Sequence, residues 1–173
     1  MLKSDILEGK IFVYPTDTIY GIGCDATNNK SVLKIRKIKR RDKKPFSIIA
    51  PSKKWITENF ELKHKDLLKK FPGPFTFVMK LKNKSAISKH VSYTDKVGVR
   101  IPDNSFTRKV QKSGKPFVTT SVNISGEPHL VNPSKLNPEI AEQIDRLIDE
   151  GKLSGKPSTV IDLTEVKPKI IRA

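Results

Sequence analysis

Short apolar runs alternate with amphipathic stretches along this chain, and breakers separate them. Residues 11–14, Ile-Phe-Val-Tyr, are uniformly apolar and stop at Pro15, which predicts a buried strand leading into a polar loop. Further strands are predicted over 46–50, 75–81, 97–101, 117–120, 159–163 and 169–171. Between them lie helical patterns. Residues 3–9 predict a short helix stopped by Gly9. Asn28 or Asn29 caps the next, whose apolar face is Val32, Leu33, Ile35 and Ile38. Its cations, Lys34, Arg36, Lys37, Lys39, Arg40 and Arg41, are expected on the exposed side and at the C-terminal end. Pro51-Ser52 opens a helix anchored by Trp55 and Ile56, and residues 64–71, 104–113 and 138–148 complete the helical set. Gly21 and Gly23 are read as punctuating a turn, and Gly114 as closing the 104–113 helix. Strands and helices alternate without segregated blocks, which predicts an α/β fold around a twisted sheet. The joints are short and no repeat or low-complexity linker is present, so residues 1–173 are expected to form a single domain.

Composition narrows the function classes. No apolar run approaches the roughly 20 residues of a membrane span, and the first residues lack the apolar core of a signal peptide. No membrane association and a cytoplasmic location are expected. One cysteine, Cys24, excludes an internal disulfide, and it reads as a small apolar residue behind a turn. His64, His90 and His129 show no metal-ligand spacing, and no protein metal site is expected. The net charge of +16 fits either an electrostatic footprint for RNA or another polyanion, or a compositional bias, since lysine is spread along the whole chain. Lysines outnumber arginines 27 to 7. Against that background Arg41, Arg100 and Arg172 mark positions where a planar two-pronged cation is required.

Several polar strings stand at predicted strand ends, where open α/β sheets bind ligands. Thr16-Asp17-Thr18 follows the first strand, and Arg100 ends VGVRIP. Thr119-Thr120-Ser121-Val122-Asn123 follows Phe117-Val118. Ser158-Thr159-Val160 opens a late strand and Arg172 ends the last. Each string alone also fits ordinary turn chemistry. Their number, with arginine at two of them, points to a shared pocket. The string Lys39-Arg40-Arg41 supplies cations for a polyphosphate, and Ser121 and Asn123 supply a hydroxyl and an amide for orienting one. There is no phosphate-binding glycine loop, Gly21-Ile22-Gly23 lacks a third glycine at dinucleotide-binding spacing, and Ser31-Val32-Leu33-Lys34 lacks the partner motifs of serine acyl-enzymes.

Together, YPTDTIYGIGCDA, Lys39-Arg40-Arg41 as KxR, PGPFTFVMK, VGVRIP, TTSVNISGEP and PSTVIDLT occur in the order seen in the YrdC-like family. The resemblance runs from about Ile11 to Arg172, and the combination of KxR, SxN and STV is specific. It implies a twisted mixed open sheet flanked by helices, and the short form that consists of the catalytic domain alone. The implied activity is L-threonylcarbamoyladenylate synthesis from L-threonine, bicarbonate or CO2, and ATP with Mg²⁺. That is the first step of threonylcarbamoyl-adenosine modification of tRNA, and it implies a downstream tRNA threonylcarbamoyl transferase as partner. By the resemblance, the catalytic set is Lys39, Arg41, Ser121 and Asn123. ATP contacts are these four with Lys96 and Arg172, and threonine contacts are Thr16, Arg100, Thr119 and Ser158.

The chain also departs from the family pattern. Asp42 stands where a proline commonly follows KxR, and Pro45-Phe46 arrives one residue early, so the loop is shorter and more basic. The strand after it ends in Ser47-Ile48-Ile49-Ala50 where many relatives carry a histidine, and SVN replaces the commoner SAN. Two competing readings remain at this level: a basic module binding double-stranded RNA or tRNA, and a YciO-like paralogue acting on another substrate. The low aromatic content, 7%, weighs against a base-stacking platform.

Overall fold

The computed structural model describes residues 2–153 and 155–173. In chain order the elements are α1 (Leu2–Leu7), β1 (Phe12–Tyr14), β2 (Gly21–Gly23), α2 (Asn29–Ile38), β3 (Ser47–Ile49) and α3 (Lys53–Asn59). Then come β4 (Phe75–Lys80), β5 (Lys96–Arg100), α4 (Ser105–Ser113), β6 (Phe117–Ser121), α5 (Pro138–Ala141), β7 (Arg146–Leu147), β8 (Thr159–Asp162) and β9 (Lys169–Arg172). Residues Lys65–Lys70 and Pro133–Lys135 form 3₁₀ turns.

The strands form one mixed sheet in the order β7-β1-β2-β6-β3-β5-β4-β8-β9. Parallel pairs β1/β7, β3/β5 and β4/β8 are interspersed with antiparallel ones. This is the expected twisted, open mixed sheet with helices against it.

Several elements differ from expectation. Gly21–Gly23 is not a turn but strand β2, paired with both β1 and β6. Glycine pairs are poor strand formers, and this one persists because Gly23 lies where the chain passes close to β6. A Cβ there would stand 1.8 Å from the Val118 carbonyl oxygen. The 138–148 stretch is helical only over its first four residues; Arg146 and Leu147 instead pair with β1. Residues 65–70 form a 3₁₀ turn rather than an α-helix.

Capping follows the sequence closely. Asn28 accepts from Ser31 N, Ser52 from Trp55 N, and Asn104 from Thr107 N, each satisfying an orphan donor of the first helical turn. Gly114 ends α4 in the left-handed region at φ 74°.

Two apolar clusters hold the sheet. On one face Ile22, Val118, Ile48, Val97, Val99, Phe77 and Met79 join Val32, Ile35 and Ile38 of α2. On the other, Phe12, Tyr14, Ile49 and Phe117 pack under α1 and α4 with Ile6, Phe106 and Val110. Phe106 stacks on Tyr14 at 4.2 Å and meets Phe12 and Phe117 at angles that suit aromatic quadrupoles. This aromatic cluster fills only part of its face.

Candidate functional site

The unfilled remainder of that face is a cleft. Strand registers pair Gly21 with Ser121, Ser47 with Thr119 and with Gly98, Ile49 with Arg100, Thr76 with Val160, and Val160 with Arg172. Side chains alternate between faces along each strand, so these residues lie on one side. Apart from Ile49 and Val160 they are small or polar, where the opposite side carries apolar side chains such as Ile22, Ile48, Phe77, Val97, Val99 and Val118. The result is a hollow of about 170 Å³ lined by Thr16, Thr18, Tyr20, Ser47, Thr76, Arg100, Thr119, Ser121, Ser158 and Arg172, with Arg41 at its rim. Gly98 makes the floor possible. A Cβ there would stand 2.4 Å from Ser47 Oγ and 3.1 Å from Thr76 Cγ2.

Arg100 is the buried cation of this hollow. Its Nη2 donates to Asp17 Oδ1 at 2.6 Å and to Thr18 Oγ1 at 3.3 Å. Its Nε is buried with no hydrogen-bond partner. Burial pushes the Arg100 pKa down, and the Asp17 carboxylate pulls it back. The loop that presents Asp17 is fixed from α4. Asn104 Nδ2 donates to Pro15 O at 2.5 Å, and Asp103 N donates to Asp17 Oδ2 at 3.1 Å. Thr16 Oγ1 donates to Ile19 O at 2.8 Å and accepts from Thr18 N at 3.1 Å, which closes the loop on itself.

The Lys39-Arg40-Arg41 and Ser121-Val122-Asn123 strings meet, as their shared assignment requires, but their side chains do different things. Lys39 was expected to be exposed and is 1% exposed. Its ammonium donates to the Ser121 carbonyl, and to Asn123 O and Asn123 Oδ1, each at 2.8 Å. Burial and then the charge of Arg41 push its pKa down to about 7. The three oxygen acceptors oppose that shift, since a neutral amine has too few hydrogens to serve them. Ser121 Oγ donates to Asn123 Oδ1 at 2.7 Å, and Asn123 Nδ2 donates to Glu127 O at 2.6 Å.

Arg41 turns the other way. It donates to Pro45 O at 2.5 Å and reaches Thr120 Oγ1 at 3.4 Å, at the cleft mouth. Its loop is organised by Arg36, another cation expected on the surface. Arg36 is 6% exposed, sits between the rings of Phe46 and Tyr93, and donates to the carbonyls of Arg41, Asp42, Lys44, His90 and Val91. Carbonyl acceptors and aromatic faces stand in for water here, which is why a guanidinium is tolerated inside.

At the opposite wall Ser158 Oγ shares a hydrogen bond with Thr76 Oγ1 at 2.9 Å. Arg172 Nε and Nη2 both donate to Ser158 O, at 3.1 and 2.8 Å. The last strand thereby carries a cation to the cleft edge.

Of the ten residues singled out from the sequence, the structure brings Thr16, Arg41, Arg100, Thr119, Ser121, Ser158 and Arg172 to the cleft. Lys39 and Asn123 lie directly behind Ser121. Lys96 is not there. It starts β5 while Arg100 ends it, about 13 Å along an extended strand, and its ammonium lies near Asp162 and Glu165. Thr18, Ser47, Thr76 and Asp17 belong to the site without having been singled out. Thr18 and Asp17 stand inside the quoted TDT string, while Ser47 and Thr76 became visible only through register. Among the described residues no group of three or more His, Cys, Asp or Glu is placed to hold a metal ion, and no helix is long and apolar enough to cross a membrane.

Comparison with known proteins agrees with the fold. The Sua5/YciO/YrdC family model, described as telomere recombination, matches residues 4–173. A Methanocaldococcus jannaschii protein named "Putative threonylcarbamoyl-AMP synthase" is 40% identical over 176 residues, covering 99% of this chain and 83% of that protein. The crystal structure of P. abyssi Sua5 complexed with L-threonine superposes with a TM-score of 0.89 at 30% identity, covering 99% of this chain and 52% of that one. E. coli YciO superposes at 0.86 with 25% identity, covering 99% and 86%. The chain thus spans about half the length of the P. abyssi Sua5 it matches.

Proposed function

The chain belongs to the Sua5/YciO/YrdC family, and from that premise we propose that it is an L-threonylcarbamoyladenylate synthase, a nucleotidyltransferase that uses L-threonine, bicarbonate or CO2, and ATP. The observation that carries this reading is Arg100. A buried guanidinium whose Nε–H has no partner, set among hydroxyls, is suited to a small carboxylate that completes its fork. An unmet buried donor costs about 1–3 kcal/mol, and a bound carboxylate removes that cost. Thr16, Thr119 and Ser158 are the hydroxyls proposed to meet the amine and hydroxyl of threonine.

The phosphates lie toward Arg41 and Arg172, with Ser121 between them and Lys39 and Asn123 behind it. Mg²⁺ accompanies the triphosphate as part of the MgATP substrate. The threonine amine adds to CO2 and loses a proton to give a carbamate. A carbamate oxygen then attacks the α-phosphorus, the bond to the β-phosphate bridging oxygen breaks, and pyrophosphate leaves. The carbamate is already an anion and needs no strong base. Catalysis rests on alignment and on cations at the developing charge. The product passes to a tRNA threonylcarbamoyl transferase.

Titration calorimetry with amino acids alone tests the carrying observation. L-Threonine is expected to bind wild type, and Arg100→Met to lose it at least tenfold. Equal affinity in the two proteins would remove Arg100 from the threonine site.

A further inference from the structure

We infer that the two cations of the KxR string are divided in labour: Lys39 is a positioning residue that builds the Ser121–Asn123 turn, and Arg41 alone of the pair meets the phosphates. The inference rests on the synthase reading for the identity of the ligand, and on geometry for the division itself. An ammonium has three hydrogens. Those of Lys39 face the Ser121 carbonyl, the Asn123 carbonyl and Asn123 Oδ1. The side chain is 1% exposed and absent from the cleft wall, so no hydrogen is left over for a phosphate oxygen. The Lys39 backbone carbonyl also accepts from Ser125 N at 3.1 Å. Main chain and side chain therefore grip the same turn from both ends.

The grip has a consequence for its neighbours. Asn123 Oδ1 accepts from both Lys39 and Ser121, which fixes the Ser121 hydroxyl on the inner side of the turn. The hydroxyl's remaining lone pairs and the turn's backbone are then held at a set place on the cleft wall. Arg41 has no such commitment to the turn. Its donors go to its own loop and to Thr120 at the mouth, where a polyanion has access. A like-charged pair this close is otherwise unfavourable; three oxygens around one member allow the other to face outward.

Hydrogen exchange and NMR on the ligand-free and tripolyphosphate-bound protein test this. In wild type, tripolyphosphate is expected to shift the Arg41 Nε–H resonance and to leave the slowly exchanging Lys39 ammonium signal in place. Ligand-free Lys39→Met is expected to raise amide exchange over residues 121–127 at least tenfold, with Arg41→Ala leaving it unchanged. In turnover, Lys39→Met is expected to lower kcat at least tenfold while KM for threonine stays within threefold. A Lys39 ammonium signal that moves with tripolyphosphate, or unchanged exchange in Lys39→Met, would overturn the assignment. Because the exchange arm contains no ligand, it judges the turn even if tripolyphosphate fails to bind, an outcome that would count against the synthase reading instead. The wild-type spectra judge it if Lys39→Met does not fold.

Discussion

At the scale of single residues, arginine usage against a lysine background was the informative signal. Arg41, Arg100 and Arg172 all reach the cleft; Arg41 and Arg172 donate through more than one guanidinium nitrogen, and Arg100 engages Nη2 while its Nε is left without a partner, a second prong that lysine lacks. Arg100→Lys is accordingly expected to raise KM for threonine about tenfold or more and leave KM for ATP within about threefold. Equal changes in both would contradict the assignment, and steady-state kinetics with each substrate varied decides it. The same signal missed Arg36. Helical periodicity put it among exposed cations, because periodicity cannot foresee that the 41–44 loop and the distant 90–91 segment will together offer five carbonyls to one side chain. Arg36→Met should loosen residues 40–45, seen as faster amide exchange there, and lower ATP affinity while threonine binding persists. Unchanged exchange over that loop would contradict the role given to Arg36.

At the scale of elements, most strands and helix caps were legible because they depend on local pattern: an apolar run, an asparagine before a helix, a glycine after one. What depends on tertiary contact was not. Gly21–Gly23 reads as a turn and is a strand because a neighbouring carbonyl occupies the place of a side chain. Arg146 and Leu147 read as helix and extend the sheet because β1 offers them an open edge. Two changes probe the division of the cleft face into a filled and a hollow part. Phe106→Ala removes the ring that stacks on Tyr14 and is expected to cost about 3–5 kcal/mol in urea unfolding, the usual range for an emptied aromatic site. Gly98→Ala presses a methyl into Ser47 and Thr76 and is expected to cost about 1–3 kcal/mol, with threonine affinity falling further than stability alone explains. A Gly98→Ala protein that binds threonine as wild type does would show that the floor of the hollow is not part of the site.

At the scale of the whole molecule, the site exists because strands distant in sequence become neighbours on one face. Polar strings at strand ends could be marked from the sequence, but which face they share follows only from register, and register is what exposed Ser47 and Thr76. The charge of +16 acts at this scale too. Self-repulsion among so many cations destabilises the folded state at low ionic strength. Raising salt from about 20 to about 200 mM, which shortens the screening length from about 20 Å to about 7 Å, is expected to raise Tm, and a fall would contradict that view. The central claim is that cleft and cations together make a threonine- and ATP-using site. Its most direct test is pyrophosphate release by the purified protein with ATP, Mg²⁺, bicarbonate and L-threonine. The account predicts release that requires both threonine and bicarbonate and falls sharply when serine replaces threonine; release that ignores either, or none at all, would contradict it.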